Sequence, residues 1–370
     1  MKKISVIGST GSIGVQTLNI VRRHPDKYKV VALSAGSNED LLLRQTEEFK
    51  PDYIGIAGKF FEKPTCKYFQ GDNAAEILAS LGEADIVVIA IVGIKALAPA
   101  MAAVVAGKRI ALANKEALVC GGDIIMSSAK KSGAEIIPVD SEHSALFQCL
   151  KQGAAYEVRK LILTASGGAY YSKDKAFLEN ITPEQAVKHP TWNMGRKISV
   201  DSATMVNKGL EIIEASRLYG ISEIDYVIHP ESIIHSLVEY IDGSTFALMS
   251  YPNMELAIQY ALTYPDREIC ENVKPFDFTK NLTFLPKNKY FNAPELAVEC
   301  IKAGGTAPAI YNSANEAAVN LFLNNKIRFT DIVYIIEKEL NERAAEQKYD
   351  IARLISLNDE IINKVNREHS

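Results

Sequence analysis

The 370-residue chain predicts an α/β fold at its N-terminal end, a doubly wound parallel sheet, followed by an α+β middle and a C-terminal helical bundle. Three observations carry this. Short apolar runs alternate with amphipathic stretches as far as Val139, a glycine-rich loop joins the first run to the first amphipathic stretch, and apolar residues recur at helical spacing beyond Pro294. The length exceeds what one hydrophobic core accommodates and suggests two or three domains. The expected division is an α/β domain over 1–138, an α+β domain over 139–264, a connecting segment over 265–293 and a helical domain over 294–370.

The first run, 3–7, leads directly into Gly8-Ser-Thr-Gly-Ser-Ile-Gly14, after which Val15, Leu18, Ile20 and Val21 fall at helical spacing. Strand, glycine loop and helix in that order let the backbone turn tightly and approach a pyrophosphate, whose charge rests on the helix N-terminus. This Rossmann-like arrangement points to a dinucleotide. A second run, 30–34, ends in Ala35-Gly36-Ser37-Asn38 with no acid at its tip. A carboxylate there would hold the ribose 2′-hydroxyl of NAD, so the polar Ser37 and Asn38 favour NADP. Runs over 53–57, 85–91, 109–113 and 135–139 continue the alternation. Ligands are expected beyond the carboxyl ends of such strands, where Ala113-Asn114-Lys115-Glu116 lies. That tetrapeptide is either a capped helix start or a polar corner facing cofactor and substrate.

Composition narrows the function classes. A net charge of −4 spread without blocks leaves no footprint for nucleic acid. The five cysteines, Cys66, Cys120, Cys149, Cys270 and Cys300, are scattered and never in a C-x-x-C pair. They are expected as reduced thiols of a cytoplasmic protein, with neither a disulfide frame nor a zinc site. The apolar start is too short for a signal peptide. The stretch 86–107 has Lys95 as its only charge and approaches the length of a membrane span. Its β-branched beginning, Gly93 and Pro99 instead predict a buried parallel strand and its packed helix, with no membrane partner.

Past the last run stands Pro138-Val-Asp140-Ser141-Glu142-His143-Ser144. In extended chain Asp140 and Glu142 point one way and Ser141 the other. Two carboxylates on one side of a strand end favour a cation between them, and all-oxygen donors point to Mg²⁺ or Mn²⁺ over Zn²⁺. The plain alternative is a solvated acidic turn. The run 161–164 ends in Ala165-Ser166-Gly167-Gly168, whose small residues and backbone amides suit an anion. His189-Pro-Thr-Trp192-Asn-Met-Gly195-Arg196 contains the only tryptophan. Large apolar groups gain little on a surface loop, so this one is either a lid closing over a ligand or a loop pinned to the core by Trp192.

Residues 200–219 then enter a helix on which Asn207, Lys208 and Glu211 share a face. Together they could bind a phosphate and complete a metal site; the ordinary alternative is a surface ion pair. His229 and His235 would stand about 20 Å apart in a strand, at ~3.3 Å per residue, and are expected as packed or interface residues. Pro265, Pro275, Pro286 and Pro294 punctuate the connecting segment. Beyond it, 294–303, 308–324, the stripe Ile332, Val333, Ile335, Ile336, Leu340 and the stripe Ile351, Leu354, Ile355, Ile361, Ile362, Val365 suggest a helical bundle.

With these pieces in order, the chain closely resembles the 1-deoxy-D-xylulose 5-phosphate reductoisomerases of the non-mevalonate isoprenoid pathway. The resemblance covers essentially the whole length and rests on Gly-Ser-Thr-Gly-Ser-Ile-Gly (8–14), Ala-Asn-Lys-Glu (113–116), Pro-Val-Asp-Ser-Glu-His (138–143), Ser-Gly-Gly (166–168), His-Pro-x-Trp-x-Met-Gly (189–195) and Ser-Val-Asp-Ser-Ala-Thr-Met-x-Asn-Lys-Gly-Leu-Glu (199–211). It implies metal ligation by Asp140, Glu142 and Glu211. It implies substrate contacts at Lys115, Ser141, Glu142, Ser166, His189, Trp192, Ser202, Asn207, Lys208 and Glu211, with Ser166, Ser202, Asn207 and Lys208 around the phosphate. NADPH is expected at Thr10, Gly11, Ser12, Ile13, Gly36, Ser37, Asn38, Asn114, Glu116 and Gly195. Family members often carry a basic residue where this chain has Ser37.

The activity so implied is rearrangement of 1-deoxy-D-xylulose 5-phosphate, by retro-aldol cleavage and re-addition on a divalent ion, then reduction by NADPH to 2-C-methyl-D-erythritol 4-phosphate. Lys115, Glu142 and His189 are the catalytic candidates, with Lys115 and Glu142 handling protons. The expected functional division places NADPH on 1–138 and metal and substrate on 139–264. A homodimer is expected by resemblance, with 229–240 as the contact. Two rivals are an NADP-dependent dehydrogenase that never rearranges carbon and a non-catalytic NADPH sensor with a structural metal.

Overall fold

In the computed structural model, which describes residues 1–60, 64–189, 191–192, 194–287 and 290–369, seven strands pair into an all-parallel sheet. They are β1 (Lys2–Ile7), β2 (Tyr28–Ala35), β3 (Tyr53–Ile56), β4 (Lys67–Gln70), β5 (Ile86–Ile89), β6 (Arg109–Leu112) and β7 (Glu135–Pro138), ordered β4-β3-β2-β1-β5-β6-β7. The winding runs outward from β1 in one direction through β2 to β4 and resumes on its other side with β5. This reversal between β1 and β5 is the switch point where an open α/β sheet leaves a crevice. Ile4, Val6 and Ile7 of β1 and Val87, Val88 and Ile89 of β5 are fully buried, as expected of parallel strands covered on both faces. The apolar stretch 86–107 resolves into β5 and the helix Leu97–Val105, which buries Leu97, Ala100, Ala103 and Val104. Among the described residues no helix is long and apolar enough to cross a membrane.

This sheet belongs to one of two compact units, made of Met1–Ala117, Asp123–Ser144 and Asn253–Lys274. The last segment is a late return of the chain. Its helix Met254–Thr263 packs on the helix Ser12–Arg23. Lys2 Nζ donates to the Leu262 carbonyl at 3.1 Å and the Arg109 guanidinium to the Tyr264 carbonyl at 2.6 Å.

The other unit comprises Leu118–Gly122, Ala145–Pro252 and Pro275–Ser370. Its sheet is mixed: β8 (Val158–Ala165), β9 (Ile224–Ile228), β10 (Ile234–Tyr240) and β11 (Thr245–Met249) lie in the order β11-β10-β8-β9. β8 and β9 are parallel and the other pairings antiparallel. The stretch expected as one helix over 200–219 is two, Arg196–Ala203 and Val206–Tyr219, because Met205 between them is left-handed, with φ 61°. The helices Ala293–Ala303, Ala307–Leu323, Asp331–Glu342 and Ile351–Glu368 form the C-terminal helical region. Ala307–Leu323 is buried on nearly all sides, from Ile310 and Asn312 to Val319 and Phe322, and is its central rod. It lies so close to Val206–Tyr219 that a Cβ on Gly209 would stand 2.2 Å from the Tyr311 hydroxyl.

His229 lies in the turn before β10, where its Nε2 accepts the Ile233 and Ile234 amides, each at 3.1 Å. His235 Nε2 meets Ser250 Oγ at 2.9 Å. Both rings are buried and are packed histidines. All five cysteines are free, and Cys120, Cys149 and Cys300 are buried.

Candidate active site

The glycine loop sits at the switch point. Gly8, with φ 90°, comes so near the end of β5 that a Cβ there would lie 2.7 Å from the Ala90 carbonyl oxygen, and a Cβ on Gly14 would lie 2.3 Å from the Gly8 carbonyl oxygen. Only glycine lets the loop fold back on itself and on its neighbour strand at both points. Below it, Ser9 is fixed by Gln45, whose Nε2 donates to the Ser9 carbonyl at 2.9 Å while Ser9 Oγ donates to its Oε1 at 2.7 Å. The helix Ser12–Arg23 that follows has no side chain capping its start at Gly11. Its first amides, beside Thr10, Gly11, Ser12 and Ile13, are therefore a backbone anion cradle, and the loop fits a dinucleotide pyrophosphate.

At the tip of β2, Gly36, Ser37 and Asn38 are exposed. Asn38 caps the next helix, its Oδ1 accepting the Leu41 amide at 3.1 Å. Beyond β6, Asn114 is both the helix cap and the polar corner. Its Oδ1 accepts the Ala117 amide at 2.7 Å, and its Nδ2 donates to the Ile91 carbonyl at 2.9 Å, the Gly93 carbonyl at 3.1 Å and Glu116 Oε2 at 2.9 Å. One side chain thus ties the ends of β5 and β6 together and leaves Lys115 and Glu116 buried beside it.

Asp140 and Glu142 are not alternate residues of extended chain. β7 ends at Pro138 and a helix starts at Ser141, so Asp140 occupies the capping position. Its Oδ1 accepts the amides of Glu142 at 3.1 Å and His143 at 3.4 Å and meets His143 Nδ1 at 2.9 Å, while Oδ2 lies 3.0 Å from Lys115 Nζ. Glu142, on the first turn, accepts the Ser141 hydroxyl. Burial pushes the Asp140 carboxyl up, but the Lys115 ammonium and His143 outweigh it and hold it well below the usual carboxylate range. An aspartate kept ionised, with a lysine ammonium on its free oxygen, has the donor chemistry of a hard-cation ligand. No sequence signal assigns a role to the fully buried His143, although it stands three residues from Asp140, the spacing of helical neighbours.

In the other unit, β8 delivers Ser166, Gly167 and Gly168. Gly167 and Gly168 have φ of 82° and 67°, and a Cβ on Gly168 would stand 2.6 Å from the Ser202 carbonyl oxygen. The Ser-Gly-Gly turn therefore lies directly against the helix that carries Ser202. Ser166 Oγ accepts the Gly168 amide at 3.2 Å and meets His189 Nε2 at 3.1 Å. His189 Nδ1 accepts the amides of Thr191 at 3.1 Å and Trp192 at 3.0 Å. Two donors on Nδ1 leave the proton on Nε2, which donates to Ser166, and burial lowers the ring's pKa. The half-buried Trp192 ring is 6.4 Å from that of His235, centroid to centroid. Pro190 and Asn193 of this loop lie outside the described residues.

On the helix Val206–Tyr219, Asn207 Nδ2 and Lys208 Nζ both donate to Glu211, and Lys208 also donates to the Thr164 carbonyl at 2.5 Å. The Lys208 and Glu211 side chains are 5% and 2% exposed, which rules out a surface ion pair. Burying such a pair costs several kcal/mol per ion before any attraction is counted, an unusual arrangement unless the charges serve a ligand. Within this unit the fold thus groups Ser166, His189 and Ser202 about the Ser-Gly-Gly turn, and Asn207, Lys208 and Glu211 on one helix face. Gly195 caps the helix Arg196–Ala203, its carbonyl accepting the Ser199 amide at 3.1 Å and the Ser199 hydroxyl at 3.0 Å.

A glycine cradle at the switch point of a parallel sheet, with no acid at the tip of β2, defines a nucleotide-dependent oxidoreductase, and the buried lysine–glutamate face goes beyond what hydride transfer requires. Family models described as 1-deoxy-D-xylulose 5-phosphate reductoisomerase, its C-terminal domain and the DXP reductoisomerase C-terminal domain match residues 4–122, 136–219 and 249–363. The 1-deoxy-D-xylulose 5-phosphate reductoisomerase of Caldanaerobacter subterraneus subsp. tengcongensis is 45% identical over all of both chains. A crystal structure of DOX-P reductoisomerase in complex with NADPH, fosmidomycin and magnesium superposes with a TM-score of 0.93 at 38% identity, covering 99% of this chain and 98% of that one. The Zymomonas mobilis enzyme in complex with NADPH gives 0.92 at 37%, covering 100% and 99%. The chain belongs to the 1-deoxy-D-xylulose 5-phosphate reductoisomerase family.

Proposed function

We propose that this protein converts 1-deoxy-D-xylulose 5-phosphate to 2-C-methyl-D-erythritol 4-phosphate, using NADPH and a divalent ion, Mg²⁺ or Mn²⁺, in the non-mevalonate isoprenoid pathway. The observation that carries this reading is the buried face of Asn207, Lys208 and Glu211, in a chain that matches this family from end to end. When bound, the ion would supply Lewis acidity and a template for the substrate's carbonyl and neighbouring hydroxyl oxygens, and NADPH would supply the hydride.

Asp140, Glu142 and Glu211 are the ligands we assign to the ion, a hard-oxygen set of three carboxylates. Lys115 pairs with Asp140 and Lys208 with Glu211. Ser166, Ser202, Asn207 and Lys208 hold the substrate phosphate, remote from the reacting carbons, where binding energy can be used to align the sugar. Ser141 and His189 contact the sugar, His189 as a neutral ring whose Nε2 proton is fixed by the two amides on Nδ1. Trp192 covers the bound sugar and excludes water. Lys115 and Glu142 share the proton transfers. The cradle at Thr10–Ile13, the tips Gly36–Asn38, Asn114, Glu116 and Gly195 receive NADPH. In this division residues 1–138 hold NADPH with Gly195 added from 139–264, and residues 139–264 hold metal and substrate with Lys115 added from 1–138. We further propose a cytoplasmic homodimer.

A dehydrogenase without rearrangement would leave the three carboxylates and the phosphate face without a task, and family membership disfavours it. The deciding experiment adds 1-deoxy-D-xylulose 5-phosphate to the protein with NADPH and Mg²⁺ and follows absorbance of the reduced nicotinamide. Oxidation that stops on chelation and returns with metal is expected; oxidation indifferent to chelation would leave a plain dehydrogenase, and none at all a binding protein.

A further inference from the structure

The cofactor assignment leaves one charge unaccounted for. NADPH differs from NADH by a 2′-phosphate, close to a dianion at neutral pH, and recognising it calls for a cation. The tip of β2, where the ribose of a dinucleotide rests, offers Gly36, Ser37 and Asn38 and no basic residue. Asn38 already spends its Oδ1 on the Leu41 amide, and Asp40, exposed on the first turn of the next helix, is acidic. The counter-charge has to come from a neighbouring element.

β3 is that neighbour. It runs parallel to β2 with Ala35 opposite Ile56, and the Ala57 amide donates to the Ala35 carbonyl at 3.1 Å, so the two chains leave the sheet side by side. Both chains turn just beyond this point, Ser37 accepting the Glu39 amide at 3.1 Å, so the tip of β2 and the loop 57–59 are neighbours at the carboxyl end of the sheet. That loop carries Lys59, exposed. Its loop is held at the base, because the Gly71 amide donates to both the Ile56 and Gly58 carbonyls at 3.0 Å. Among the described residues Lys59 pairs with no carboxylate. Arg44, another exposed cation, lies about 9 Å further along its helix from Asn38, at 1.5 Å per residue, and has Asp40 and Glu47 at helical-neighbour spacing, while Glu48 is taken by Arg22.

We propose that Lys59, from the loop after β3, holds the cofactor 2′-phosphate together with the Ser37 hydroxyl, so that preference for NADPH over NADH resides in the loop beside the β2 tip. This rests on the NADPH reading above. The test measures dissociation constants of the full-length protein for NADPH, NADH, 2′,5′-ADP and 5′-AMP by calorimetry, without substrate or turnover. Lys59→Ala is expected to weaken NADPH and 2′,5′-ADP by about tenfold or more and leave NADH and 5′-AMP unchanged. Ser37→Lys added to Lys59→Ala should restore the discrimination. Equal weakening of all four ligands, no weakening, or loss of discrimination in Arg44→Ala but not Lys59→Ala would overturn the assignment. A wild-type protein that binds NADPH no more tightly than NADH would instead overturn the cofactor reading beneath it.

Discussion

His189 shows how one side chain can be fixed from both ends. Its Nδ1 is committed to the amides of Thr191 and Trp192 and its Nε2 faces Ser166 Oγ. A second proton would have to go on Nδ1, between two donors already aimed at it. Burial lowers the ring's pKa, below the ordinary value of about 6.5, so the unfolded chain binds a proton more readily than the folded one. Stability from this contact is therefore complete above about pH 6.5 and is lost as pH falls through the lowered pKa. Trp192 is the chain's only tryptophan and reports the change. Its emission should shift as the pH is lowered from 7 to about 5, and His189→Gln should abolish the shift; a transition unaltered in His189→Gln would assign it to another group. None of this wiring could be read from sequence. The motifs supply histidine, tryptophan and serine, but hydrogen bonds to amides two and three residues away depend on local backbone angles that residue types do not encode.

At the scale of elements, periodicity succeeded wherever a segment has one buried face and failed where it has none. β1, β5 and the four C-terminal helices announce themselves by apolar runs and stripes. β4, at the sheet edge with an exposed pattern over Lys67–Gln70, carries no such signal and was invisible. The helix Met254–Thr263 is buried over most of its surface, so it lacks the polar face that makes a helix stand out. The break at Met205 was equally hidden, since only the left-handed backbone of a non-glycine residue separates the two helices. Asp201 gives the first of them, Arg196–Ala203, its anchor. Its carboxylate, 2% exposed, receives Lys197 Nζ at 2.8 Å from its own helix and Asn315 Nδ2 at 2.8 Å from the central helix Ala307–Leu323. The neighbouring Ser202 is held in place through that link. Asn315→Leu would leave the carboxylate short of a donor in a buried site, at a cost of about 1–3 kcal/mol. The expected outcome is a lower Tm and a raised KM for the sugar phosphate, with NADPH affinity unchanged and Asn315→Gln partly restoring KM. An unchanged KM at lowered Tm would confine the link to stability.

At the scale of the whole molecule, the order of fold types along the chain was legible, because alternation and apolar stripes are properties of contiguous sequence. The return of Asn253–Lys274 to the parallel-sheet unit was not, because no local pattern tells a segment which earlier one it will pack against. The region 229–240 is the expected contact between protomers; within it β10 lies between β8 and β11 with its backbone donors and acceptors engaged on both sides, so a contact there runs through side chains. The sheet ends at β9, which bridges to Leu285, and at β11, which has no further strand beside it among the described residues. The β11 sequence Thr-Phe-Ala-Leu-Met has no charge and no proline, the devices that ordinarily keep an edge from pairing. Thr245, Phe246 and Ala247 are exposed, Phe246 at 42%. A twofold axis across such an edge pairs β11 with its own copy antiparallel, each residue contacting its counterpart's register partner. The protein should therefore elute from size exclusion with light scattering at twice its 40.7 kDa chain mass. Phe246→Lys with Ala247→Lys, which places like charges along both copies of the edge, should convert it to a monomer with its circular dichroism intact. A wild-type monomer, or a dimer indifferent to both lysines, would show that β11 is not where two copies meet.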